Sequence, residues 1–259
     1  MSAPYGQDHH VRMYDGDYAA RRTPSGDVDF YVEEARRAGG PVLELACGTG
    51  RILIPTARAG LTVTGVDASP AMLGRAREKL AAEPADVKGR VTLREGDMCA
   101  IDAGRRFALV TIPFRPISHL LEVEQQLALF ENVCRHLLPG GRLVFDVFQP
   151  DPAFLAGPRE EHLDIDREEA GRRIRRFSRT RPRLATQVMD VAFRWEVAEP
   201  SGTVTEHAVE FPMRWYHRFE IEHLLARCGF RVVALHGDFR RGPFTDDTSE
   251  MIFVAEAAD

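Results

Sequence analysis

The sequence predicts a doubly wound α/β protein with a mostly parallel seven-stranded sheet and an inserted antiparallel β cap. Three observations lead there. From Pro41 onward, short apolar runs alternate with helical segments of roughly 10–20 residues, the pattern of parallel βαβ units. That regularity breaks after Pro150, where long runs with strand-like alternation take over. It resumes near residue 216. The expected units are therefore an N-terminal lid and helix over 1–40, a core over 41–150, a β cap over 151–215, and the rest of the core over 216–259.

Each element has its own signal. A polar lead-in precedes a helix, DVDFYVEEARRAGG, which stops at Gly39-Gly40. PVLELAC reads as a buried strand, RILIPTARAG as a helix ending at Gly60, and LTVTGVDA as the second strand. The next helix, SPAMLGRAREKLAA, has Ser69 as N-cap and Pro70 at its first position, the favoured start. VTLREGD and FALVTIPF are the third and fourth strands. LEVEQQLALFENVCRHLLPGG is read as one long amphipathic helix closed by a proline and two glycines, before RLVFDVF as strand five.

In the cap region an acidic stretch, EEHLDIDREE, is followed by a basic one, GRRIRRFSRTRPR. ATQVMDVAFRWEVAE and TVTEHAVEFPMRWYH then read as antiparallel strands joined at a Pro-Ser-Gly turn. A helix, RFEIEHLLARCGF, and two strands, RVVALHGDF and SEMIFVAEA, complete the sheet.

Composition narrows the function. With 259 residues and 44% hydrophobic side chains, the chain can bury a core, which excludes disorder, collagen and coiled coil as readings of the whole. There are 34 Lys and Arg against 39 Asp and Glu, a net charge of −5, and that argues against a chain built on nucleic-acid phosphates. No apolar run approaches the roughly 20 residues of a membrane span, and the N-terminus lacks a signal peptide's apolar stretch. Cys47, Cys99, Cys134 and Cys228 are scattered and form no CxxC pair, so they read as reduced thiols. A cytoplasmic location is expected.

The first strand runs into Glu44-Leu45-Ala46-Cys47-Gly48-Thr49-Gly50-Arg51 and directly on into a helix. Small residues at 46, 48 and 50 let the backbone approach a ligand at the helix N-terminus. The second strand ends at Asp67, where a carboxylate can grip ribose hydroxyls. A dinucleotide and S-adenosylmethionine both suit this layout. The dinucleotide fingerprint needs a further glycine where Leu53 stands, and Glu44 would repel a diphosphate while suiting a sulfonium and an ammonium. A P-loop is excluded because there is no GK[ST].

ELACGTGR, then GVDAS with Met72 following, then EGDM at 95–98, then HLLPGGRLVFDVF closely resemble, in order, the motifs of class I S-adenosylmethionine-dependent methyltransferases. The resemblance covers about residues 40–150 and implies the Rossmann-like fold of that family. It implies that Glu44, Ala46, Cys47, Gly48 and Gly50 line the methionine end of the cofactor. Asp67 would bind the ribose and Asp97 and Met98 would meet the adenine, with Ala68, Met72 and Gly96 also among the cofactor contacts. Two departures stand out: Ala46 replaces a commoner glycine, and Ala108 replaces an acid at the start of strand four. Tyr14, Tyr18 and Arg22 resemble the lid of small-molecule N-methyltransferases, and the cap resembles the insertion in enzymes that methylate sugar amines and glycine.

Acceptor chemistry is expected just after strand four, at Pro113-Phe114-Arg115-Pro116-Ile117-Ser118-His119. This is not the [DN]PPY of enzymes that methylate base amines in nucleic acids. Pro113 and Phe114 read as a wall against the cofactor, and Arg115 as a substrate contact. His119 is the candidate base, with holding the cofactor or a buried carbonyl as its alternatives. Arg214, Tyr216 and His217 are expected on the pocket wall. The arginines at 172, 173, 175, 176, 179, 181 and 183 form either a solvated face balanced by acids or a site for phosphate or carboxylate on the substrate.

No metal is expected, since HExxH, zinc spacing and CxxxCxxC are all missing. The function that follows is methyl transfer from S-adenosylmethionine to a small-molecule amine or hydroxyl, leaving S-adenosylhomocysteine. The alternatives are a nucleic-acid methyltransferase and a non-catalytic cofactor-binding subunit. Exposed cap strands would allow a homodimer.

Overall fold

The computed structural model describes residues 8–21 and 26–258. Helix α1 (Asp8–Arg21) occupies what reads as a polar lead-in, because its contacts are tertiary and leave little periodicity. Helix α2 (Asp27–Ala38) follows and stops at Gly39 in the left-handed conformation. The core then alternates β1 (Val42–Leu45), α3 (Leu53–Arg58), β2 (Val63–Asp67), α4 (Pro70–Ala81), the short α5 (Ala85–Lys88), β3 (Val91–Glu95), β4 (Phe107–Ile112), α6 (Val123–His136) and β5 (Leu137–Phe148). As expected, the Ser69 hydroxyl accepts the Met72 N–H at 3.2 Å and Pro70 opens α4.

Helix α6 is shorter than its pattern suggested. Leu137 leaves the helix, is buried in the core and pairs with Phe107 at the start of β4. A side chain at Gly141 would press on the Phe107 and Leu138 carbonyls, so the Pro-Gly-Gly run turns against β4 rather than closing a helix.

Short α7 (Pro152–Leu155) leads into a four-stranded antiparallel meander: β6 (Arg159–Glu169), β7 (Arg172–Arg183), β8 (Val188–Ala198) and β9 (Val204–Arg214). The acidic and basic stretches are two of its strands. They pair in register, Asp166 opposite Arg175 and Glu168 opposite Arg173, so cross-strand charge takes the place of apolar alternation. Helix α8 (Arg218–Arg227), β10 (Phe230–His236) and β11 (Glu250–Ala257) return to the core.

The seven-stranded sheet has the order β10-β11-β5-β4-β1-β2-β3. β1 through β5 run parallel to one another, while β11 runs antiparallel to both β5 and β10. Strand order reverses between β1 and β4, which opens a crevice at their carboxyl ends. The α6 and α8 side buries Leu43, Val110, Phe130, Phe145 and Phe253, and the α2 and α3 side buries Phe30, Tyr31, Val42, Leu53 and Val63. A third cluster, around Met13, Ile174, Trp195 and Phe211, joins α1 to the inner face of the cap. Among the described residues no helix is long and apolar enough to cross a membrane.

Candidate active site

The loop after β1 turns by left-handed residues at alternate positions: Ala46 (φ 54°), Gly48 (φ 54°) and Gly50 (φ 78°). This conformation turns the Gly50 N–H back to the Cys47 carbonyl at 2.9 Å, and only glycine adopts it without steric cost. Gly65 on β2 lets the loop pack close, since a Cβ there would run into Leu53 and Cys47.

Asp67 fastens the loop to β2. One carboxylate oxygen accepts the Gly48 N–H at 2.7 Å and the other the Ser69 N–H at 2.8 Å. Burial raises its pKa, and those two N–H groups oppose the rise.

A cavity of about 300 Å3 fills the crevice, within the range of small-ligand sites. Ala46, Gly48, Asp67, Ala68 and Met72 line one side, with Ser69 and Pro70. Gly96, Asp97 and Met98 line the far end, where Asp97 is held by the Cys99 N–H at 2.8 Å. Tyr14, Pro113, Phe114, Pro116 and His119 close the near end.

Three expected cofactor residues stand behind this wall. Cys47 is buried, and Gly50 backs onto Ile54 and Ala76. Glu44 is buried in β1, where desolvation pushes its carboxyl up to about 8 against the pull of Arg51 and the Leu53 N–H. Arg22 lies outside the described residues.

The acceptor side is built differently. Phe114 (φ 69°) and Arg115 (φ 64°) are consecutive left-handed residues directly after β4. Each costs about 1–2 kcal/mol for a non-glycine, so the turn persists only because its surroundings fix it. Arg115 points away from the cavity to an ion pair with Glu250, its guanidinium 5.5 Å from the Phe148 ring.

Tyr216 is fully buried, its hydroxyl shared between the Ile117 and Leu120 carbonyls at 2.9 and 3.0 Å. Arg214 donates to the Leu121 carbonyl at 3.2 Å and to Glu220 at 3.0 Å, and His217 caps α8. None of these four lines the cavity. Tyr216 and Arg214 hold the 116–121 turn from behind.

His119 does line it. Burial lowers its imidazole pKa to about 4, partly offset by a hydrogen bond to the Pro212 carbonyl on β9. Its ring lies 5.8 Å from Phe211, so the cap packs behind the His119 side of the cavity.

Helix α1 reaches the cavity through Tyr14, as its lid-like tyrosines lead one to expect. Tyr14 packs edge-on against Tyr18, and Tyr18 against Phe114, both at 4.4 Å. Asp15 accepts the Thr49 hydroxyl at 2.6 Å and pairs with Lys79 at 3.1 Å on the cofactor side. Asp17, 2% exposed, faces the cap and accepts Arg176 (3.1 Å), Arg167 (3.2 Å) and Trp195 (2.9 Å). The sequence signal was available: two carboxylates between two tyrosines at helical spacing.

The cap arginines are mostly committed to protein carboxylates. Of the seven between 172 and 183, five form ion pairs: Arg173 with Asp166, Arg175 with Glu196, Arg176 with Asp17 and Asp164, Arg179 with Glu210, and Arg183 with Asp190.

A glycine-rich loop and an acidic strand end, meeting at the switch point of a doubly wound sheet, define a protein that binds a nucleoside-type cofactor. Residues 42–141 match the family model described as "Methyltransferase domain". A dTDP-3-amino-3,6-dideoxy-alpha-D-glucopyranose N,N-dimethyltransferase of Streptomyces fradiae is 30% identical over 224 residues, 85% of this chain and 82% of that protein. The CcbJ methyltransferase of Streptomyces caelestis is similar in structure, with a TM-score of 0.80, 26% identity and 99% of each chain covered. So is CalS10, an amino pentose methyltransferase from Micromonospora echinaspora solved with S-adenosylmethionine, at a TM-score of 0.73, 27% identity, and 94% and 95% coverage. This chain belongs to the S-adenosylmethionine-dependent methyltransferases, and S-adenosylmethionine is its cofactor.

Proposed function

We propose that the protein methylates an amine nitrogen of a small molecule lodged between the 113–119 turn and the cap. The observation that carries this reading is the acceptor end itself, walled by Tyr14, Phe114, Pro116 and a neutral His119. An amine in its neutral form brings its own lone pair. That pair attacks the methyl carbon, the carbon–sulfur bond breaks, and sulfur keeps the electrons as the thioether of S-adenosylhomocysteine. The methylated ammonium then loses its proton to water.

A hydroxyl acceptor would need a base during transfer, and an imidazole with a pKa near 4 has little proton affinity to offer. His119 is therefore read as an orienting hydrogen-bond partner rather than a proton sink. Orientation can contribute about 7–11 kcal/mol, so transfer from a sulfonium does not require a base.

The Gly48 loop would hold the methionine portion, Asp67 the ribose, and Asp97 with Met98 the adenine. An acceptor phosphate or carboxylate would have to compete with Asp166, Glu196, Asp17, Asp164, Glu210 or Asp190 for those five cap arginines. The same pairing speaks against an RNA acceptor. An acceptor with a free amine and no anion facing the cap fits best. The relatives' amino-sugar substrates supply the amine half of that description.

The test incubates the protein and S-adenosylmethionine with free amino sugars, nucleotide-linked amino sugars, peptides with free N-termini, and the matching alcohols. S-adenosylhomocysteine formation and one-methyl mass gains are followed. Turnover confined to amines supports the reading. Turnover confined to alcohols or RNA overturns it.

A further inference from the structure

Behind the acceptor wall lies a buried polar network with no part in the transfer described above. Asp146, near the end of β5, is fully buried. One of its oxygens accepts the Tyr31 hydroxyl at 2.6 Å and the Phe114 N–H at 2.7 Å. Its other oxygen has no hydrogen-bond partner. Glu250, at the start of β11, pairs with Arg115, the second residue of the left-handed turn. Arg51, fixed by Asp27 at 2.5 Å, lies 5.2 Å from the centre of the Phe114 ring.

Such a network is costly to keep. A carboxylate removed from water raises its own pKa, as it does at Asp146 and at Glu250, which is pushed up to about 7. Two aliphatic side chains would fill the space at less expense. What they could not do is hold one backbone N–H at a strained φ.

The Phe114 N–H points away from the cavity and finds Asp146, and the following guanidinium finds Glu250. These two bonds fix successive residues in a conformation that neither would adopt alone. Tyr31 in turn fixes the rotamer of Asp146.

We infer that Asp146 is a positioning residue for the cofactor site: with Tyr31 it locks the Phe114–Arg115 turn, and so sets where the Phe114 ring and Pro113 stand against bound S-adenosylmethionine. Asp146 touches neither reactant. It acts through the main chain of Phe114. The prediction depends on the cofactor alone, so it can be tested whatever the acceptor proves to be.

The experiment measures S-adenosylhomocysteine affinity by calorimetry and hydrogen exchange over residues 112–118. The proteins are wild type, Asp146→Ala, Asp146→Asn and Tyr31→Phe. Asn keeps an oxygen that can accept both bonds, whereas Ala keeps none. Asp146→Ala should weaken S-adenosylhomocysteine by about tenfold or more and speed exchange over 112–118, through loss of a charge-assisted bond. Asp146→Asn should stay within about threefold of wild type on both readouts, and Tyr31→Phe should fall between the two.

If Asp146→Ala does not fold, the comparison of Tyr31→Phe with Asp146→Asn decides. The inference is overturned if Tyr31→Phe leaves both readouts at wild type. It is also overturned if Asp146→Ala lowers thermal stability with affinity intact, which would make the network purely structural. Failure of Asp146→Asn to restore binding would overturn it too, by showing that charge rather than hydrogen bonding is required.

Discussion

The two ends of the cavity are made by different means. The cofactor end is backbone: left-handed turns at 46, 48 and 50, and an Asp67 carboxylate that accepts two N–H groups of its own loops. The other end is side chains: Tyr14 from α1, with Phe114 and His119 from one turn. Phe114 is steadied by its N–H bond to Asp146 and by the Tyr18 ring, and His119 by its contact with Phe211 of the cap. Backbone geometry fits a ligand that never changes. Side chains can be replaced one at a time without moving the backbone, so that end can vary where the loop end cannot.

The largest effect should come where Asp17 of α1 accepts hydrogen bonds from three cap side chains. Asp17→Ala leaves Arg176 and Arg167 buried without that partner and should cost about 3–5 kcal/mol in urea denaturation. A loss below about 1 kcal/mol would show that Asp164 and Glu169 suffice, and that α1 is not held by this bond.

On the cofactor side, Asp67→Ala should weaken S-adenosylmethionine by more than about tenfold, since a hydrogen bond to a charged group is worth roughly 1.5–3 kcal/mol. Calorimetry on folded protein gives the answer. Unchanged affinity would remove Asp67 from the ribose and leave it only its loop-fastening bonds.

Glu44 separates support from contact. Its carboxyl is raised from 4.5 to about 8 by burial, so the folded chain holds that proton more tightly than the unfolded chain does. Its contribution is full below about pH 4.5 and is lost as pH rises through about 8. Glu44→Gln keeps the uncharged form at every pH. Between about pH 5 and pH 8.5, the stability of Glu44→Gln relative to wild type should therefore grow by more than about 1 kcal/mol in the cofactor-free protein. A constant difference would mean that Arg51 keeps Glu44 ionised throughout.

The same contrast explains what could be read from the sequence. The cofactor end was legible because backbone turns demand particular residues: small ones at 46, 48 and 50, and an acid at the end of β2. The order of core strands followed from apolar runs alternating with helices. The partners of α1 were not legible, since Asp15 and Asp17 bond to residues 34 and 150 positions away. Strands β6 and β7 were read only as charge runs, because opposite charges stabilise their pairing where apolar alternation was expected. Arg115, Arg214 and Tyr216 have the residue types of substrate contacts, yet their partners, Glu250, Glu220 and the 117–121 carbonyls, are fixed only by the fold. Asp146 reads as one letter in an apolar strand.

The smallest expected effect tests the backbone half of the comparison directly. Ala46 is the one non-glycine among the three left-handed positions of the loop, at φ 54°. Glycine there would remove a steric cost of about 1–2 kcal/mol per residue. It would also give the unfolded chain more freedom, worth about 0.4–1 kcal/mol against folding. The balance predicts that Ala46→Gly is stabilising by less than about 1 kcal/mol, a rise in melting temperature of no more than about 2–4 °C for a chain of this size. S-adenosylmethionine affinity should stay the same, because glycine keeps the backbone path of the loop. A loss of stability would show that the Ala46 methyl group packs well enough to outweigh its strain. The cofactor end would then depend on side chains as the acceptor end does, and the division drawn between them would fail at its first residue.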